Sequence, residues 1–165
     1  MTVLAHIGMG SNLASPRQQL ARATTVLAHL PRTALVAVSS PYVSAPVGSR
    51  TAQPDYVNAI AAVRTGLSPR RLLRALQSIE RSQGRTRGAR NAARTLDLDL
   101  LLYGRLELRG RGLRVPHPRL HRRAFVLRPL LEVSPAAHIA GRGPARRYLA
   151  AVRRQRLVRA PDAGH

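Results

Sequence analysis

Apolar and polar positions alternate with a period of two over residues 94–103, Arg94-Thr95-Leu96-Asp97-Leu98-Asp99-Leu100-Leu101-Leu102-Tyr103. That is the strand period, so Leu96, Leu98 and Leu100 face one way while Thr95, Asp97 and Asp99 face the other. The apolar run Leu100-Leu101-Leu102 predicts a central strand, covered on both faces. Residues 3–8, 33–43 and 56–64 predict three more strands, and a short strand or hairpin runs through Leu106 and Leu108 after Gly104. Two segments switch to the helical period. Ser15-Pro16 predicts a helix start with serine as N-cap and proline in the first turn. Leu20, Ala23, Leu27 and Leu30 give that helix its apolar face, and Pro31 closes it. Ser68-Pro69 repeats the signature ahead of Leu72, Leu73, Leu76 and Ile79. A short helical piece is expected near 118–123, an apolar helix near 125–132 and a last helix at 145–152. The order β-α-β-β-α-β predicts an α+β, ferredoxin-like sandwich with a mainly antiparallel sheet.

The segments between follow from composition. Residues 44–54, rich in Pro, Gly and small polar residues, predict a loop. Residues 81–94 have no apolar period and carry five arginines, Arg81, Arg85, Arg87, Arg90 and Arg94, so they predict a mobile basic loop leading into the Asp strand. One domain over 1–152 is expected, with an arginine-rich, flexible tail over 153–165.

At 165 residues the chain is long enough for a real core. It has no cysteine, which excludes a disulfide framework, a thiolate nucleophile and a cysteine zinc site. No apolar run of spanning length and no signal-like start occur, so a cytoplasmic protein is expected. The formal net charge is +21, all of it arginine. Such a charge favours an anionic partner, either nucleic acid or a small polyphosphate.

Asp97 and Asp99 are the leading chemical candidates. Their Cα atoms lie roughly 6.6–7 Å apart along a strand, so two short carboxylates can converge on one cation or bridge a pair. Arginine pairing is the plainer alternative, although an exposed pair returns only about 0–1 kcal/mol. Hard oxygen donors on one face suit Mg²⁺. Gly8-Met9-Gly10 lacks the third glycine and the later acid of a dinucleotide fingerprint, and no P-loop occurs, so these glycines predict a tight turn. His117 and His121 are four apart but lack the glutamate and third ligand of a zinc site. His117, between Pro116 and Pro118, is held and accessible, which suits a phosphate or base contact. Asn58, on an otherwise apolar strand, is either a satisfied core amide or a reader of a heterocycle edge. Phe125 is either core or a stacking surface.

Five blocks stand in the order and spacing of one family: Gly8-Met9-Gly10-Ser11-Asn12-Leu13, Gln53-Pro54-Asp55-Tyr56-Val57-Asn58-Ala59, Gln83-Gly84-Arg85, residues 94–104, and Val115-Pro116-His117-Pro118-Arg119-Leu120. Over roughly residues 2–150 the chain resembles 6-hydroxymethyl-7,8-dihydropterin pyrophosphokinases of folate biosynthesis. The resemblance implies a ferredoxin-like sandwich that moves pyrophosphate from ATP to a pterin hydroxymethyl group, releasing AMP. It implies that Asp97 and Asp99 hold two Mg²⁺ ions and that Arg85 and Arg94 clamp phosphates. Gln77, Glu80, Arg87, His117 and Arg123 match the ATP side; Ser44, Val47, Tyr56, Asn58 and Phe125 match the pterin side. ATP and the pterin are the expected small-molecule partners of a monomer, with no specific nucleic acid and no membrane. Asn91-Ala92-Ala93 departs from the Trp-Gly-Pro or Asn-Ala-Pro that many members carry before the arginine matching Arg94. The competing reading is a basic nucleic-acid-binding α+β domain, but such a sheet wants stacking aromatics, and the chain has one Phe, four Tyr and no Trp.

Overall fold

The computed structural model describes residues 1–12, 15–44, 55–84 and 96–160. Its elements run β1 (Val3–Ser11), α1 (Pro16–Ala28), β2 (Thr33–Val38), β3 (Tyr42–Ser44), β4 (Tyr56–Thr65), α2 (Pro69–Ser82), β5 (Asp97–Tyr103), β6 (Leu108–Gly110), β7 (Leu113–Val115), α3 (Ala124–Val133), β8 (His138–Ile139), β9 (Gly143–Pro144), α4 (Leu149–Val152) and β10 (Leu157–Arg159). Short 3-10 turns cover Leu120–Arg122 and Ala145–Tyr148. The main sheet runs β10-β3-β4-β1-β5, with β2 also on β4, and all its pairings are antiparallel. This is the ferredoxin-like order, extended by a strand from the carboxy-terminal end of the chain.

The two sheet faces are covered separately. Leu20, Ala23 and Leu27 of α1 and Leu72, Leu76 and Ile79 of α2 pack on Ala5, Ile7, Met9, Ala61, Val63, Leu98 and Leu100. The opposite face carries Ile60, Leu101 and Leu102 against Leu120, Ala124, Leu127 and Leu130. Leu98 and Leu100 of β5 therefore point into the α1/α2 core, as their alternation predicts.

Several expectations change. The strand bearing the aspartates is not central but lies at the sheet edge, with β1 as its neighbour. Its apolar run has another cause. Leu101 is skipped between the pairs His6↔Leu102 and Ile7↔Leu100, and this bulge sends Leu100 to one core and Leu101 and Leu102 to the other. Two groups on the outer rim of β5 are nonetheless bonded. Glu80 Oε2 accepts from the Leu98 amide at 2.8 Å, and the His117 amide donates to Leu101 O at 2.9 Å. Bonding the rim in this way reduces the pairing hazard of an open edge.

Gly8 and Gly10 form no turn; both lie inside β1, which runs to Ser11. Ser15 precedes α1 with a left-handed φ of 58° and makes no side-chain cap, whereas Ser68 Oγ does cap α2 by accepting from the Arg71 amide. The run 33–43 breaks into β2 and β3, and α2 continues to Ser82, into the start of the expected loop. Beyond Arg153 the chain does not simply fray: β10 pairs Leu157↔Ser44 and Arg159↔Tyr42 on β3. Leu13, most of the 44–54 loop with Val47, and Arg85, Arg87 and Arg94 lie outside the described residues.

Candidate functional site

β1 organises the site because it pairs on both sides. Gly10 is in register with Asn58 on β4 and with Asp97 on β5; Gly8 is in register with Ile60 and Asp99. Residues in register share a face, so the rows Asn58–Gly10–Asp97 and Ile60–Gly8–Asp99 cross the sheet on the α3 side. Neighbouring strands lie roughly 4.8 Å apart, which puts about 10 Å between the Asn58 and Asp97 Cα atoms, with glycine between. A side chain there would close the floor. A Cβ on Gly10 would sit 3.3 Å from Asn58 Oδ1, and one on Gly8 would sit 3.2 Å from Leu101 Cδ1. The glycines serve close approach, not chain reversal.

On the β4 side Asn58 is 7% exposed. Its Nδ2 donates to Ser44 Oγ at 2.8 Å and to Tyr42 O at 3.4 Å. A backbone carbonyl can only accept, so the amide nitrogen faces β3 and the oxygen faces the floor over Gly10. The amide nitrogen is satisfied inside the sheet, and the oxygen borders the backbone at Gly10. Ser44 acts here through its hydroxyl. Tyr56 is half-buried on the same strand, and its register partner is Ser44.

On the β5 side Asp97 and Asp99 are half-buried. His117 and Arg123 converge on them from the chain that follows β7. The Arg119 amide donates to His117 Nδ1 at 3.2 Å. That nitrogen must be unprotonated, so the neutral ring carries its proton on Nε2. Burial is the main cause of a His117 pKa below the usual value, with Arg123 and Arg119 adding to it and Asp97 opposing. Burial also lowers Arg123, with Arg119 adding and Asp99 and Asp97 opposing. His117 therefore feels Asp97, and Arg123 feels both aspartates. Arg123 also places its Cζ 5.4 Å from the Phe125 ring centroid. The structure thus brings Arg123, Phe125, His117, Asp97 and Asp99 to one face. Gln77 is exposed on α2, and Glu80 is buried against the β5 backbone. His121 is spoken for elsewhere: it is 8% exposed and meets the Tyr148 ring edge-on at 5.3 Å.

Among the described residues no group of three His, Cys, Asp or Glu gathers as a metal cage. The aspartate pair offers hard oxygen donors of the kind that suits Mg²⁺, an ion usually held by one or two carboxylates together with substrate phosphate oxygens. The donor chemistry fits that ion. Reasoning from the sequence missed Tyr42, Glu132, His6 and Gln155. Tyr42 follows a proline in an unremarkable β-rich run, and the others act through contacts more than 30 residues away.

A fold with one carboxylate pair, two flanking cationic or donor groups and a glycine floor beside an amide is an arrangement suited to phosphoryl transfer beside a planar ligand. The comparisons give the family. A family model of 7,8-dihydro-6-hydroxymethylpterin-pyrophosphokinase matches residues 6–135. A 2-amino-4-hydroxy-6-hydroxymethyldihydropteridine pyrophosphokinase from Haemophilus influenzae is 48% identical over 132 residues, 80% of this chain and 82% of that one. The Pseudomonas aeruginosa protein of the same name is 44% identical over 158 residues, covering 96% of this chain and 97% of its own. Among solved structures, a wild-type Plasmodium falciparum HPPK-DHPS with pteroate superposes with a TM-score of 0.71 at 13% identity, over 93% of this chain and 43% of that chain. The solved chain is thus more than twice as long as the part matched, and the likeness shows the fold alone. The chain belongs to the 7,8-dihydro-6-hydroxymethylpterin-pyrophosphokinase family and is a pyrophosphokinase of folate biosynthesis. The nucleic-acid-binding reading is not favoured. No helix among the described residues is long and apolar enough to cross a membrane.

Proposed function

We propose that this chain transfers the β,γ-diphosphate of ATP to the hydroxymethyl oxygen of 6-hydroxymethyl-7,8-dihydropterin. The acceptor oxygen attacks Pβ, the bond from Pβ to the α,β-bridging oxygen breaks, and AMP leaves while the acceptor proton is lost to solvent or a nearby base. The observation that carries this reading is the row Asn58–Gly10–Asp97, which sets an amide edge and a carboxylate pair on either side of a bare backbone floor. Asp97 and Asp99 would hold two Mg²⁺ ions. Such ions supply charge neutralisation on the phosphates and a lowered pKa at the acceptor hydroxyl.

This chain's own residues supply orientation and further positive charge. Neutral His117 donates from Nε2 to a phosphate oxygen, and Arg123 adds a fixed cation beside it. Arg85, Arg87 and Arg94 bring further guanidinium groups from the preceding loop, and Gln77 and Glu80 belong to the helix on the nucleotide side. Asn58 Oδ1 accepts from the pterin's N–H edge, Phe125 stacks on its ring, and Tyr56 with the backbone at Ser44 and Val47 closes the pocket. The enzyme works as a cytoplasmic monomer.

The reading is tested with Asp97→Ala. Turnover should fall by about a hundredfold to a thousandfold, the range seen when a principal electrostatic group is lost, while circular dichroism and pterin fluorescence quenching stay near wild type. Turnover within tenfold of wild type would remove Asp97 from the metal site.

A further inference from the structure

We propose that the carboxy-terminal arm, residues 153–160, is a positioning element of the substrate site, acting on both of its walls. The arm lies beyond the residues that match the family model, which end at 135. The proposal rests on the reading of Asn58, Phe125 and Arg123 as substrate contacts.

Gln155 reaches back to the start of α3. Its Oε1 accepts from the Ala124 amide at 2.8 Å, and its Nε2 donates to Arg122 O at 2.7 Å. The two bonds bracket Arg123, one on each side of it in the chain. A carboxamide is suited to this because it donates and accepts at once. Arg123 has an extended backbone of φ −124° and ψ 115° and caps α3 without a side-chain bond of its own, so Gln155 supplies the cap from outside. Fixing this peptide fixes where the Arg123 guanidinium and the Phe125 ring point.

The rest of the arm holds the other wall. β3 is only three residues long, and β10 covers its outer edge. Arg159 Nη2 donates to Ser40 Oγ at 2.7 Å, its Nε lies 3.9 Å from Glu132 Oε1, and the Ala160 amide donates to Pro41 O at 2.8 Å. Glu132 in turn accepts from the Tyr42 hydroxyl and from the Ser40 amide, each at 2.6 Å. Arg128 ties the underside, donating to Leu157 O at 3.1 Å and lying 5.6 Å from the Tyr42 ring centroid. β3 carries Ser44 and Tyr42, the two residues that hold the Asn58 amide nitrogen. The arm therefore sets the Asn58 amide through β3, and the Arg123 and Phe125 side chains through Gln155.

The test uses the full-length chain with Gln155→Ala, Gln155→Glu and Arg159→Ala. Pterin affinity is read by fluorescence quenching, KM and kcat by AMP release, and folding by thermal melting. Gln155→Ala should raise KM for ATP and the pterin dissociation constant about tenfold, with kcat changed less than threefold. Gln155→Glu keeps the Ala124 bond and should recover part of that loss. Arg159→Ala, which loosens β3 and the Glu132 contact but not the Gln155 bonds around Arg123, should weaken pterin binding and leave KM for ATP unchanged. Wild-type affinities in all three variants would overturn the arm's role, as would losses that track the melting temperature and vanish on cooling. If the wild-type chain itself fails to bind pterin, the site reading fails first; if it binds and the variants match it, only the arm proposal fails.

Discussion

His6 makes stability depend on acid in a calculable way. It lies on β1 at 5% exposure, with Nε2 2.8 Å from Ser134 Oγ and, among the described residues, no partner at buried Nδ1. Its register partners are Ala62 and Leu102, so it sits between apolar neighbours beneath the end of α3. Burial lowers its pKa to about 4 from 6.5. The depressed value means that folding favours the neutral ring. The contribution is complete above about pH 6.5, is lost as pH falls toward 4, and changes no further once both states are protonated. At about 1.36 kcal/mol per unit, integration gives a loss of about 2 kcal/mol at pH 5 and about 3 kcal/mol at pH 4. The perturbation is His6→Gln, which cannot titrate. Urea unfolding followed by circular dichroism at pH 7.5 and pH 5 gives the two stabilities of each protein. Wild type should lose about 2 kcal/mol more than the variant over that interval, whatever their difference at pH 7.5. Parallel losses would refute the reasoning, because His6 would then titrate alike in the folded and unfolded chains.

Gly10→Ala places a Cβ 3.3 Å from Asn58 Oδ1; pterin affinity measured by fluorescence should fall about tenfold, with KM for ATP unmoved. Glu80→Ala leaves the Leu98 amide without its 2.8 Å carboxylate, so urea unfolding should show a loss of about 1–3 kcal/mol and kcat should fall with the displaced aspartates. His117→Ala removes the Nε2 donor, and steady-state kinetics should show KM for ATP raised about tenfold. Because the His117 pKa is already lowered, KM for ATP of the wild type should stay flat from about pH 6.5 to 8; a step near 6.5 would show that the ring is not held neutral.

What could be read in the sequence was what is local. Asp97 and Asp99 share a face because the strand period fixes it, and both helix starts are marked by a serine before a proline, although only Ser68 caps with its side chain. The βαββαβ order follows from successive periodicities. What could not be read depends on distant partners. A glycine inside a strand is normally a weakness, and nothing local says that Gly8 and Gly10 lie between two strands whose side chains need the space. The edge position of β5 is hidden by Leu101 and Leu102, which are buried because a bulge and the α3 layer cover them. One bond on its rim comes from Glu80, 18 positions from Leu98. β10 hides in an arginine-rich segment, and its order comes from β3 and from Glu132. The hold on Asn58 is likewise invisible locally, since Ser44 meets Asn58 only when β3 and β4 pair. The resemblance named Asn58, but not the direction in which its amide points.

The most direct measurement is of the nucleotide product. The full-length chain is incubated with ATP, Mg²⁺ and 6-hydroxymethyl-7,8-dihydropterin, and nucleotides are separated by ion-exchange chromatography. AMP should form in step with one equivalent of pterin diphosphate, and removal of the metal with EDTA should stop both. ADP as the product, or AMP formed without the pterin being consumed, would contradict transfer of a diphosphate across the Asn58–Gly10–Asp97 floor.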